Sequence, residues 1–408
     1  MSIDNSQYHF LLPKGKGYWL IVVALLLAVV AGAYCAYTME HVGHKISGMN
    51  NSVVWGLPHV FAISLILSAS GALNGATLSS VFGQSNYKPW ARLSVVLAIV
   101  LLIGGLTVLV LDLGRPDRLF IAMTTYNFRS IFSWNIFLYV GFIAVGVFYL
   151  WMMMDRRYNR QIKTVGVVAL IWRIVLTTGT GSIFGFLVGR SALDSAIIAP
   201  LFIALSFLMG SAVFILVLMQ VTRWQDTSLP LPLLRSLNRL LFWCILLVVY
   251  FSVVHHLTNL YATEHHQDEY FVLAGPLAWL FWMGHIGVGV LLPLWLLHSS
   301  RNQSHDTPSV PESEASGKAQ KKLLLACCAS LAGAMILVYV VVIGSQNLAQ
   351  RLFPGKTVTA SSFGDVGFVS YYPSLWEWGL GIGGVSLALL VFVFLLRILR
   401  VSPEPIKP

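Results

Sequence analysis

A chain of 408 residues in which 57% are hydrophobic and only 10% are charged has too little polar surface to clothe a soluble core, which excludes an ordinary water-soluble globule. The net charge of +10 would suit a nucleic-acid binder, but the cations fall in alternate segments between apolar runs rather than in one patch, which points to membrane sidedness and away from nucleic acid. Cys35, Cys244, Cys327 and Cys328 show no CxxC spacing, so no iron–sulfur or zinc site is expected in this chain and any cluster is expected on a partner.

Apolar runs long enough to cross ~30 Å of hydrocarbon recur from end to end. They predict helices over about 17–39, 53–83, 91–113, 131–153, 165–188, 195–222, 236–262, 270–298, 323–345 and 375–399. In lipid each backbone amide must be satisfied within its own segment, and the alternating strands of a barrel are missing from the sequence. Lys14 and Lys16 precede the first run as in a signal peptide, yet the run is longer than such a leader needs and Tyr34 and Tyr37 follow, so it reads as an uncleaved helix. Cations such as Arg156, Arg157, Arg160, Lys163, Arg223, Arg235 and Arg239 gather in the segments that are inside if the N-terminus is inside. The expected fold is therefore an all-α integral membrane protein with about ten transmembrane helices, N-in and C-in. The polar run 301–322 reads as a cytoplasmic linker between an eight-helix core (1–300) and a two-helix extension (323–408). The core is expected to form two four-helix bundles, because Pro58 to Ser64 in the second helix faintly repeats Pro200 to Ser206 in the sixth.

Polar side chains at membrane depth need a partner, water or a function. In the second helix His59, Ser70, Asn74 and Thr77 fall near one face; they read either as small-residue hydrogen bonding between helices or as a polar lane running inward from His59. The third helix ends in Asp112, Gly114, Arg115 and Pro116. That ending reads either as a boundary ion pair, with Asp112 and Arg115 three residues apart, or as a proton acceptor with its steadying cation. Tyr126, Asn127, Arg129, Ser130, Ser133 and Trp134 follow, as an interfacial aromatic belt or as the donors and walls of a site for a flat apolar ring. Arg173 on the fifth helix starts close enough to the inner surface to snorkel. His255, His256 and His285 could hold a b-type haem if they face one another, and Glu377 begins the last helix.

Taken together, the Leu111 to Pro116 motif, the Asn127 to Ser130 motif with Ser133 and Trp134, Trp55-Gly56 ahead of the second helix, and Pro200 to Phe202 with Ala204 to Ser206 in the sixth resemble the NrfD-type family of polysulfide reductase membrane subunits. The likeness covers nearly the whole chain. It is strongest to the DsrP-type members of the DsrMKJOP sulfur-metabolism complex, through His41 to His44 and Trp55 to His59. The resemblance implies a quinone or quinol site near the outer face, in a subunit usually without a cofactor of its own. It also implies an extracytoplasmic iron–sulfur electron-transfer partner, further membrane and catalytic subunits of a redox complex, and a bacterial cytoplasmic (inner) membrane location. Some relatives carry histidines near the positions of Ser70 and Thr180; both are replaced here, which shifts the expected proton-accepting role to Asp112 and His59. A haem b cytochrome subunit and, more remotely, a secondary transporter are the rival expectations.

Overall fold

The structure, a computed structural model, describes residues 8–13, 15–306, 312–348 and 368–403. Lys14 and residues 307–311 of the expected linker lie outside them. Ten helices among the described residues are long and apolar enough to cross a membrane: α1 (Lys16–Val42), α2 (Leu57–Ser80), α3 (Ser85–Leu111), α4 (Ile131–Met154), α5 (Ile162–Gly185), α6 (Ile198–Trp224), α7 (Leu231–Tyr261), α8 (Leu280–Ser299), α9 (Gly317–Asn347) and α10 (Leu375–Ile398). The protein is an all-α, multi-pass integral membrane protein. The described chain ends meet at one end of the bundle, where Tyr8–His9 pairs antiparallel with Ser402–Pro403. That end also carries Arg156, Arg223 and Arg239 and is called the basic end below; the opposite end is the distal end.

The expected eighth span begins ten residues too early. His266–Leu273 forms a short helix of its own, and the chain turns at Gly275 before Pro276, a pair that cannot continue a helix. Where the expected linker is described it is helical: one helix runs on to Asp306 and the next starts at Glu312.

Helices α2 to α5 pack in succession, as do α6 to α9, and α2 with α5 lies against α6. The expected C-terminal pair does not form a unit: α9 packs on α8 and α6, whereas α10 runs along α1 and α3. Small residues explain this choice. A Cβ on Gly32 would lie 2.6 Å from the Gly383 Cα, so α1 and α10 touch backbone to backbone as only glycine permits.

Helix α2 is buried along nearly its whole length, and it breaks at Leu73 between Leu57–Ala72 and Asn74–Ser80. Ser94 of α3 is inserted at the break. Its hydroxyl donates to the Ala72 carbonyl (2.6 Å) and accepts from the Ala76 N–H (3.0 Å), so a side chain replaces the missing rung of the helix ladder. A wide π-type turn runs through Leu280–Leu291 in α8 and another through Val340–Gly344 in α9.

Candidate functional site

The distal end is organised around a buried glutamate. Glu377 is wholly buried in the first turn of α10 and forms a capping box with Ser374. One carboxylate oxygen accepts from the Gly48 N–H (2.8 Å) and the Ser374 N–H (2.7 Å). The other accepts from the Tyr371 hydroxyl (2.6 Å), which in turn accepts from the Leu57 N–H at the first turn of α2 (2.7 Å). Burial, and then the carboxylate itself, hold the Tyr371 hydroxyl far above the usual phenol range, so it stays a donor. One carboxylate therefore ties the loop after α1, the start of α2 and the start of α10 together.

That knot fixes His59, at the third position of α2. Across from it α3 ends at Leu111, Asp112 caps the helix, and the chain reverses at Gly114 with φ +67°, a backbone conformation that suits glycine. The reversal turns the Asp112 carboxylate inward, where its side chain is 1% exposed and Oδ2 lies 2.9 Å from His59 Nδ1. This is a close contact without hydrogen-bond alignment: neither carboxylate oxygen has a hydrogen-bond partner among the described residues. His59 is 23% exposed and so opens the pair to the surroundings. His44 enters from the short turn His44–Ile46 and stands against Gly114, its Nε2 2.9 Å from where a Cβ would sit. Its Nδ1 is buried and likewise without a hydrogen-bond partner among the described residues. Asp112 and His59 thus meet with both carboxylate oxygens and the His59 Nδ1 short of hydrogen-bond partners, and His44 stands beside the turn that follows Asp112.

The expected Asp112–Arg115 pair is absent. Arg115 lies beyond the helix end, where helical spacing no longer applies, and its side chain is exposed. The residues from Tyr126 to Trp134 form a separate aromatic patch. The Tyr126 and Phe137 rings lie 4.5 Å apart, Trp134 Nε1 donates to the Phe128 carbonyl (2.9 Å), and the Asn127 side chain accepts from the Arg129 N–H (3.1 Å). Ser130 and Ser133 are half-buried at the start of α4, while Asn127, Arg129 and Trp134 are exposed. No hydrogen bond, ion pair or ring contact among the described residues joins this patch to the His59–Asp112 pair.

Deeper in the bundle, the polar face of α2 meets α5. Arg173 does not snorkel; it is 3% exposed and points inward. Its Nη1 donates to the Ser70 carbonyl (3.0 Å) and to Asn74 Oδ1 (2.6 Å), and the guanidinium lies 5.0 Å from the Phe207 ring centre. Asn74 passes the network on to Ser211 (2.8 Å). Thr77 is buried on the same face. Two turns along the same face of α5, Thr180 and Asn135 meet at 3.4 Å, with Tyr139 beyond. A buried guanidinium with no carboxylate beside it among the described residues is the feature that sequence reasoning missed, because only the tertiary partner Asn74 decides whether an arginine snorkels or turns inward.

The three candidate haem ligands are only partly engaged: the Nε2 atoms of His256 and His285 are buried without a hydrogen-bond partner among the described residues, and His255 meets Ser195 and Asn259 at 3.4 Å. His256 Nδ1 bonds Glu269, whose other oxygen accepts from Asn259 (3.2 Å), and His285 Nδ1 meets the Gly333 carbonyl (3.1 Å). The Phe281 ring stands against both imidazoles, with centroids 4.6 Å from His256 and 5.8 Å from His285. The cavity beside His255 and His256 is about 30 Å³, room for a water molecule and far too small for a porphyrin. These residues do not fit a haem.

Residues 45–350 match the family model described as polysulphide reductase, NrfD. The chain is 24% identical over 388 residues to an Hdr-like menaquinol oxidoreductase integral membrane subunit of Archaeoglobus fulgidus, covering 95% of this chain and 94% of that one. It is 30% identical over 310 residues to a putative membrane subunit of dimethyl sulfoxide reductase from Halobacterium salinarum, covering 69% of each. A shorter likeness, 24% over 151 residues and about a third of each chain (37% and 36%), joins it to a menaquinone reductase integral membrane subunit of Nitratidesulfovibrio vulgaris.

Proposed function

Because the chain belongs to the polysulphide reductase NrfD family, we propose that it is the quinone-interacting membrane subunit of a respiratory oxidoreductase complex in a cytoplasmic membrane, one devoted to sulfur redox chemistry. Two relatives are named for menaquinol or menaquinone, which supports the quinone pool as its redox partner. The observation that carries the reading is the under-partnered group at the distal end: a buried Asp112 whose one close polar neighbour among the described residues is a titratable, partly exposed His59.

Oxidation of a quinol releases two electrons and two protons. A ring hydroxyl presented to Asp112 gives its proton to the carboxylate, and the His59 imidazole beside it is placed to pass that proton on. His44 offers a second acceptor. In this reading the half-buried Tyr126, Ser130 and Ser133, with Trp134, form a separate aromatic patch on the same end over which the ring enters, while the exposed Arg115, Asn127 and Arg129 face a docked iron–sulfur protein, which takes the electrons. The Ser70, Asn74 and Arg173 network, eleven residues and more further along α2 with Thr77 on the same face, is the candidate inward lane for protons, reached from His59 only across water.

The reading is tested in the purified complex with a soluble quinol analogue. Asp112→Asn is expected to lower quinol-linked turnover about 100-fold or more, the scale of a lost general base, while the partner subunits still co-purify. Turnover at the wild-type rate in Asp112→Asn and in His59→Gln would remove the site. The transporter alternative draws no support from the break in α2, because Ser94 stitches it and neither half-helix end is offered to a solute.

A further inference from the structure

A second recess lies at the basic end, remote from His59 and Asp112. After α2 the chain reverses at Gly83, with φ +69°, and enters the tight turn Ser85–Trp90, which packs against the first turns of α7. Between them is a cavity of about 520 Å³, in the range of small-ligand sites. Its floor is polar: the buried Tyr87 hydroxyl meets the Ser236 hydroxyl at 3.0 Å. Arg239, one turn along α7 from Ser236, lines the same recess within electrostatic reach of Tyr87. No carboxylate pairs with it among the described residues, and its side chain is exposed to the opening.

The wall changes character along α7. Leu240 and Trp243 complete the lining, and Trp243 is 66% exposed. Tyr250 and Leu257, each seven residues further on, are also largely exposed, so one stripe of α7 faces lipid from the recess toward the distal end. A molecule filling this site needs an anionic head that accepts from a guanidinium and hydroxyls at the level of the helix ends, and an apolar tail that lies along an aromatic and aliphatic stripe.

We propose that this recess binds the phosphate headgroup of an anionic phospholipid, with Arg239 as its cation, Tyr87, Ser236 and the turn before them as its polar floor, and Trp243 as the start of its acyl track. An unpaired arginine suits this role because its planar donors match phosphate oxygens, and basic recesses between transmembrane helices hold such headgroups. The chemistry recognised is a phosphate anion, which a soluble phosphate also carries; the lateral opening along Trp243 favours the lipid.

The test is native mass spectrometry of the full chain in detergent, titrated separately with phosphatidylglycerol and phosphatidylcholine. The wild type is expected to retain one phosphatidylglycerol in preference to phosphatidylcholine. Arg239→Gln is expected to lose that preference about fivefold, the scale of one interfacial cation, and Arg239→Lys to keep most of it. Arg223→Gln, which removes an exposed cation of the basic end outside the recess, is expected to behave as wild type. Circular dichroism of each variant separates a lost site from a lost fold. Equal retention of the two lipids, an unchanged preference in a folded Arg239→Gln, or an equal loss in Arg223→Gln would overturn the proposal. Displacement of the bound lipid by millimolar inorganic phosphate, with phosphate itself protected from exchange by the wild type and not by Arg239→Gln, would assign the recess to a soluble anion and overturn the lipid assignment.

Discussion

Of the buried carboxylates at the distal end, Glu377 and Asp112 have opposite surroundings. Glu377 accepts from two backbone N–H groups and a tyrosine hydroxyl, so its charge is met by fixed donors and nothing is left for a ligand. Asp112 is buried too, yet it has one close polar neighbour, His59, and no aligned donor among the described residues. A carboxylate saturated by the backbone organises a fold, whereas one left short of donors is poised for chemistry, since a buried acceptor without partners is tolerated only where something else supplies them.

The contrast is open to breakage by substitution, and the largest effect is expected at Asp112. Asp112→Asn should remove turnover about 100-fold or more while leaving the melting temperature of the purified complex near that of the wild type. A large loss of stability without loss of specific activity would reverse the roles assigned to the two carboxylates. Glu377→Ala should do the opposite. It strands the Gly48, Ser374 and Tyr371 donors, for a destabilisation of about 3 kcal/mol, read as a lower melting temperature and yield, with the turnover of whatever complex assembles within a few-fold of normal. Gly114→Ala sharpens the comparison, because an added methyl meets His44 and a left-handed backbone at once. The strain is about 1–2 kcal/mol, and its expected signature is a roughly tenfold fall in turnover with a small change in stability. Ser94→Ala leaves the Ala72 carbonyl and the Ala76 N–H unserved at the break in α2, for about 1–3 kcal/mol, measured by thermal unfolding in detergent. The smallest effect is expected from Asn127→Ala, which frees one turn N–H on an exposed segment. It should leave turnover with a soluble quinol analogue unchanged, and reduced partner co-purification is its only expected reading.

The helices were legible in the sequence, and Asp112 and His59 were each legible singly, because a charged or polar group in hydrocarbon is a signal carried by one residue. The partner of Asp112 was not. Three-residue spacing pointed to Arg115, but that rule holds only inside a helix and the helix stops one residue before Asp112, at Leu111. The polar stripe of Ser70 and Asn74 was visible as a periodicity, while the guanidinium that fills it comes from α5, about a hundred residues away, and leaves no local trace. Glu377 was recognisable as an unusual start to the last helix, yet its role depends on Gly48, Leu57 and Tyr371, which only the folded chain assembles. The same is true of α10 lying on α1: glycines at Gly32 and Gly383 permit it, but glycine is common in membrane helices and does not say which surface it meets.

The burial of α2 bears on how the protein comes to be made. A helix that presents no face to acyl chains, and is the least hydropathic of the ten spans, has no comfortable resting place in a bilayer by itself, so its integration is expected to wait for α3 and α6 to emerge from the ribosome and shelter it. Glycosylation mapping of truncated nascent chains would register this as α2 remaining unintegrated when synthesis stops before α3, and the delay would make early termination products targets for membrane proteases.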